Sequence, residues 1–347
     1  MLTTGTFCAK IKIRIGEPNF LRNMRIFKKN TAMGTGKSIF PNLMSSALFG
    51  YRRKTMYELI QVGENSYYIN CPAKIGIVKI SDTEVCLIDS GNNKDAGKKV
   101  RQILDANGWK LSAIYNTHSH ADHIGGNKYL ETQTGCKIYA PGIECDFTVH
   151  PILESAFLYG GYPMGELRHK FLIAQESSAE YLTRDSLPKE LELINLPGHS
   201  FDMVGFRTAD GVVYLADCLA SRTTLDKYGI AFIYDVREYL KTLETVKAME
   251  AKLFIPSHAE PCEDISSLAQ YNIDKVYEVA DKILKICSTP LCFEEILQRL
   301  FTEYSLTMTA EQYALVGSTV RSYLSWLKST EKLKIIFEDN KLLWEST

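Results

Sequence analysis

The stretch Thr117-His118-Ser119-His120-Ala121-Asp122-His123 decides how this chain is read. Three of the seven histidines fall within its six residues 118–123, together with an aspartate. The run before it, residues 111–116, is apolar and reads as a strand. A helix is predicted to start near Gly125 and to run to about Thr134. The histidines therefore sit where a strand ends and a helix begins. Alternate residues on an extended tip point the same way, so His118 and His120 share one side. The turn that follows swings Asp122 and His123 toward a second point nearby. Imidazole and carboxylate are suitable ligands for Zn2+, and also for Fe or Mn.

Further along, three more apolar runs each end on a residue of the same kind: Pro197-Gly198-His199, Leu215-Ala216-Asp217 and Pro256-Ser257-His258. Delivering one ligand-type side chain at each strand tip is how a site is mounted on rigid elements. A single His or Asp after a strand is usually a cap or a turn. Five of seven histidines with two aspartates in this arrangement are not.

Short strands are predicted at 57–62, 67–71, 75–80 and 85–89, a helix at 94–107 closed by Gly108, and a strand at 137–140. Strands return at 191–196, 203–208 and 212–216. A helix over 236–251 leads into a strand at 253–256. Strands followed by alternating strand and helix, twice over, predict an α/β (α+β) fold: two sheets with helices outside, an αββα sandwich. Residues 142–190 break the β rhythm with helix formers and aromatics, and read as a helical insertion. Residues 265–347 read as a separate small unit. Its helices fall at 268–287, 293–301 and 310–330, followed by a hairpin turning at Asp339-Asn340. Three helices and a terminal hairpin match a winged helix. The expected organisation is an N-terminal extension (1–55), a main domain (56–264) and a C-terminal winged-helix-like domain (265–347).

The motif His118-x-His120-x-Asp122-His123, with His199, Asp217 and His258 downstream, resembles the metallo-β-lactamase superfamily over about residues 57–262. Cys86-Leu87-Ile88-Asp89-Ser90-Gly91 looks like that family's first motif, in which the aspartate supports the metal loop from behind. The resemblance implies two divalent metal ions, zinc first and Fe or Mn otherwise. His118, His120 and His199 would hold one, Asp122, His123 and His258 the other, and Asp217 would bridge them. A metal-bridging hydroxide would then attack a small ester- or thioester-like substrate, with Asp122 as ligand and catalytic proton acceptor. The complete ligand set looks like the glyoxalase II and ribonuclease branches. Phe201-Asp202 and Ala259 stand where many members carry glycine, which alters the rim of the site. The insertion is expected to form a lid that sets specificity, with Tyr159, Tyr162 and His169 as candidate substrate contacts. Cys218, next to Asp217, reads as a buried thiol.

Two other functions compete. A metal-dependent ribonuclease or phosphodiesterase would use the same metals, and the C-terminal unit resembles the winged helix of proteins related to an endoribonuclease. Charge opposes it: residues 265–347 hold nine Lys or Arg against eleven Asp or Glu, with Glu338-Asp339 at the wing tip. Nucleic-acid modules show a basic face. That unit is instead assigned to packing or to a homodimer. A non-catalytic metal-binding regulatory protein is the other reading, opposed by the intact Asp122.

Residues 1–55 carry eleven Lys or Arg and one acid, Glu17. This stretch reads as a poorly ordered extension or an upstream start (with Met24, Met33, Met44 or Met56 as the true one), and organelle targeting is the minority reading. Gly34-Thr35-Gly36-Lys37-Ser38 resembles the end of a phosphate-binding loop, but Thr31 stands where that pattern needs glycine, so it reads as a loop. Nine scattered cysteines without a Cys-x-x-Cys pair, and no run long enough to span a bilayer, give a cytoplasmic expectation with no membrane partner.

Overall fold

The computed structural model describes residues 56–347; the basic extension and the Gly34–Ser38 loop lie outside the described residues. Four strands come first: β1 (Glu58–Gln61), β2 (Ser66–Asn70), β3 (Ile75–Lys79) and β4 (Glu84–Ile88). Helix α1 (Lys94–Ala106) starts at Asn93, whose side-chain oxygen accepts from the N–H groups of Asp95 and Ala96. It buries Val100 and Leu104, each stabilising by about 1.5–3 kcal/mol. Then come β5 (Lys110–Tyr115), α2 (Ala121–Ile124), α3 (Asn127–Thr134) and β6 (Lys137–Ala140).

The helix expected from Gly125 to about Thr134 is α3, and a one-turn helix not read from the sequence, α2, precedes it across a break at Gly125-Gly126. The break is steric. A Cβ on Gly126 would stand 2.3 Å from the carbonyl oxygen of Ser90, so the chain can cross the loop after β4 only as glycine.

The insertion comprises α4 (Gly142–Val149), α5 (Ile152–Tyr159) and an unforeseen edge strand, β7 (Ala179–Tyr181). After it come β8 (Leu191–Asn195), β9 (Val204–Thr208), β10 (Val212–Ala216), α6 (Arg222–Tyr228), α7 (Val236–Lys247) and β11 (Leu253–Pro256). Helix α6 was not read from the sequence. Its signal is the N-cap Ser221, which accepts from Thr224 N–H. Helix α7 ends four residues before the expected 251, because Lys252 N–H already bonds Gly211 O to align β11 with β10.

The chain closes with α8 (Ser266–Ile286), α9 (Phe293–Glu303), α10 (Ala310–Ser329) and the hairpin β12 (Leu333–Glu338) and β13 (Lys341–Ser346). The hairpin turns through Asp339 and Asn340, both at positive φ (47° and 59°), as a tight two-residue turn of matching twist requires.

Strands β1 to β7 form one sheet in sequence order, antiparallel up to β4 and parallel from there on. A second sheet runs β11-β10-β9-β8. Between the sheets lie Tyr68, Val78, Ile88 and Tyr115 from the first and Val204, Phe206, Tyr214 and Ile255 from the second. The outer face of the first sheet packs on α1 and α3 through Ile75, Ile77, Leu87, Val100, Leu104 and Leu130. The outer face of the second packs on α7 and on the C-terminal helices in one continuous core. That core joins Val213, Leu215 and Phe254 to Leu243, Ile273, Ile283, Leu300, Val320 and Leu324. This is the αββα layering expected, with the three C-terminal helices sharing the second sheet's core. No helix among the described residues is long and apolar enough to cross a membrane.

Candidate metal centre

The strand tips deliver their ligand-type residues under local strain. Asp89, just past β4, sits at φ 63°, and Ala216, just before Asp217, at φ 51°. Non-glycine residues rarely adopt such values, and they persist where surrounding structure imposes them. Gly198, before His199, has φ 118°, and a Cβ there would lie 2.2 Å from the backbone nitrogen of Tyr239. Only glycine lets this loop run against the start of α7.

The seven residues marked from sequence meet in two adjoining groups. His118, His120 and His199 form one; Asp122, His123, Asp217 and His258 form the other. Within each, the donor atoms lie within 4.8 Å of one another. His120 Nδ1 is 3.1 Å from both His118 Nε2 and His199 Nε2. Asp217 reaches across: its Oδ1 is 3.3 Å from His123 Nε2, and its Oδ2 is 3.1 Å from His258 Nε2 and 3.7 Å from His199 Nε2. Asp122 Oδ2 is 3.2 Å from His258 Nε2.

The hydrogen bonds behind the rings fix which nitrogens face inward as lone pairs. His199 Nδ1 donates to Phe232 O, and His258 Nδ1 donates to Pro72 O; a carbonyl can only accept. His123 Nδ1 donates to the Asp89 carboxylate at 2.7 Å. Asp89 also accepts from Thr117 N–H and Thr117 Oγ1, both at 2.8 Å. Its proton so committed, the Thr117 hydroxyl accepts from His118 Nδ1 at 2.9 Å. Asp89 thus sets the tautomers of one histidine in each group.

The result is a cluster of acceptors facing acceptors. His123 Nε2 and Asp217 Oδ1 are fully buried, face each other at 3.3 Å and have no other hydrogen-bond partner among the described residues. Burying such groups unpartnered is costly, and a cation between them removes the cost. The donor set therefore fits divalent metal.

Electrostatics agree with that. Burial, together with the neighbouring rings, holds His118 far below the usual imidazole range, and His120 and His199 near about 4, so these rings are neutral and ready to ligate. Without metal the carboxylates act on the other group. Asp217 raises His258 to about 10 against the effect of burial, and Asp217, Asp122 and Asp89 likewise raise His123. Burial would lift the carboxyls of Asp122 and Asp217, but the adjoining histidines more than reverse it.

The insertion reaches the cluster through residues that the sequence reading did not mark. Glu144 on α4 is buried and bonds Ser119 N and Oγ, Ser200 Oγ and Asp202 N, at 2.5–3.2 Å. It pins the His118–His120 loop to the one carrying His199. Glu154 on α5 is buried with its carboxyl 3.6 Å from His120 Nε2, on the side of the ring away from the cluster. Burial, then Glu144, pushes that carboxyl up to about 8. The departures at Phe201-Asp202 also dock the insertion. Phe201 packs against Phe147, Phe157 and Tyr234, and Asp202 accepts from Ile143 N–H.

The candidate substrate residues are placed elsewhere. Tyr159 is at the exposed end of α5, Tyr162 is 76% exposed and bonded by Arg168, and His169 pairs with Glu311. The physical reason is that α5 turns Glu154, Ser155 and Leu158 inward, so its last residue and the glycine turn after it face outward. A cavity of about 580 Å3 does open on the cluster, at His199, Asp217 and His258. It is lined by residues after β10 and by α10, and Tyr159, Tyr162 and His169 are not among the lining residues. Phe232 lines it while its carbonyl holds His199. Cys218 is buried in the core, where burial pushes its thiol up.

Comparison with known proteins gives the same fold. A Burkholderia ambifaria beta-lactamase domain protein superposes with a TM-score of 0.67 at 15% identity, covering 86% of this chain and 96% of that one. Among curated relatives, the Methylococcus capsulatus hydroxyacylglutathione hydrolase is 51% identical over 39 residues, which is 11% of this chain and 15% of that protein. The Aspergillus fumigatus atrochrysone carboxyl ACP thioesterase is 23% identical over 193 residues, 55% of this chain and 52% of that protein. The chain spans less than two thirds of the length of these relatives. The family model for the metallo-beta-lactamase superfamily matches residues 68–258, more than half of the chain, from β2 to the last histidine of the cluster. The chain belongs to the metallo-beta-lactamase superfamily.

Proposed function

We propose that this protein is a dinuclear metal-dependent hydrolase of small ester- or thioester-like substrates. The observation that carries the reading is the pair of adjoining donor groups joined by Asp217, with the buried His123 Nε2 and Asp217 Oδ1 facing each other in the second. Zinc suits these donors best, with Fe or Mn as alternatives. His118, His120 and His199 would hold one ion, Asp122, His123 and His258 the other, and Asp217 would touch both. Two cations so held would bring the pKa of a water between them toward neutrality and polarise the substrate carbonyl.

The chain's own residues do the rest. Asp89 and the carbonyls of Phe232 and Pro72 keep the lone pairs aimed inward. Asp122 would be both a ligand and the carboxylate that takes the proton of the attacking water. A relative named as a hydroxyacylglutathione hydrolase and another named as a thioesterase support the substrate class.

The ribonuclease alternative has less support. Among the described residues lining the cavity there is no lysine or arginine to meet a polyanion. Eight free cysteines among the described residues, six of them buried, suit a cytoplasmic setting. The test is Asp122→Asn. It is expected to lower kcat by at least about a hundredfold on a thioester that the parent protein cleaves. Full activity in that variant would remove Asp122 from the chemistry.

A further inference from the structure

The cavity on the cluster names the kind of acyl group the enzyme takes. This inference rests on the hydrolase reading above. His199, Asp217 and His258 line the cavity, where the scissile carbonyl must sit. Its lining also includes Leu219, Ile230, Ala231 and Phe232 from the segment after β10 and Leu315 and Val316 of α10. Its volume, about 580 Å3, falls within the range that encloses a whole small ligand.

The α10 wall is held in place by hydrogen bonds. Ile233 N–H donates to Thr319 Oγ1 at 3.2 Å, and Ser322 Oγ donates to Tyr234 O at 2.6 Å, tying α10 to the segment after α6. Apart from the cluster, the lining residues include no charged side chain. A carboxylate or phosphate pushed along this cavity would lose its water and gain no counter-charge.

We infer that the cavity receives the neutral, apolar acyl arm of the substrate, and that α10 of the C-terminal segment sets its length. The wall that α10 contributes is uncharged: Gln312, Leu315, Val316 and Thr319.

The experiment uses the full chain loaded with zinc and a series of N-acetylcysteamine thioesters, from acetyl to dodecanoyl. The parent protein's kcat/KM is expected to rise about threefold to fourfold per added methylene until the cavity is full. A medium-chain thioester ending in an ω-carboxylate should be at least about tenfold poorer than its neutral counterpart. Ala231→Phe, which fills the cavity, should cut the ratio of decanoyl to acetyl turnover about tenfold or more. Should that variant fail to fold, the parent series alone decides. A flat chain-length profile, or equal use of the ω-carboxylate, would overturn the inference while leaving the hydrolase intact. Failure to cleave any thioester of the series with metal bound would overturn both.

Discussion

Asp89→Asn isolates the role of hydrogen bonding behind the cluster from that of the ligands themselves. Asparagine is almost the same shape and tolerates the positive φ of 63° at this position, so the backbone need not move. What changes is direction. The carboxylate accepts from three donors: Thr117 N, Thr117 Oγ1 and His123 Nδ1. An amide that keeps its oxygen on Thr117 N presents N–H groups to the other two. His123 must then move its proton to Nε2, the atom that faces Asp217 and Asp122. Thr117, now accepting, donates to His118 Nδ1 and turns that ring as well. Restoring either lone pair costs about one charge-assisted hydrogen bond, roughly 1.5–3 kcal/mol. Metal affinity should fall by about 10–100-fold, or ~1.4–2.8 kcal/mol. The assay is titration of metal-free protein with Zn2+ against a chromophoric chelator, with circular dichroism to confirm the fold. Affinities within about threefold of the parent in a folded variant, under ~0.7 kcal/mol, would refute the tautomer argument.

Other outcomes follow from the same geometry. Glu154→Ala should weaken zinc binding by about tenfold, with Glu154→Gln recovering most of it, because the Glu154 carboxyl lies 3.6 Å from the rear nitrogen of His120; the same chelator titration reads it. Glu144→Ala leaves the donors of Ser119 and Ser200 buried without their acceptor, and should cost ~1–3 kcal/mol in denaturant unfolding. Metal uptake should release protons. His258, held at about 10 by Asp217, is protonated in the metal-free protein at pH 7 and must become neutral to ligate, so affinity should rise with pH through the neutral range. Calorimetry in two buffers of different ionisation enthalpy should count at least about one proton per chain, and none would contradict it.

The seven cluster residues were legible because each follows an apolar strand, and strand ends are where a sheet must hand its chain to a loop. The layers were legible for the same reason: period-2 and period-3.6 patterns report which faces are buried. Glu144 and Glu154 were not, since a glutamate on a helix gives no sign in sequence that it is turned inward beneath a loop far along the chain. Phe232 acts through its carbonyl, which every residue possesses. Tyr159 and Tyr162 were attractive as aromatics in an insertion, but the direction of α5 decides exposure, and that is set by packing against α10 through Leu158 and Ala314. Helix α6 is short, and its cap at Ser221 was its only local signal.

On the proposed reading, two ions held by these residues perform the hydrolysis. Metal content per chain and thioester hydrolysis should be measured on the same freshly purified sample, then again after chelation and after reloading. About two ions per chain are expected, with activity that vanishes with them and returns when they do. Activity that survives complete removal of metal, or none after two ions are restored, would contradict it.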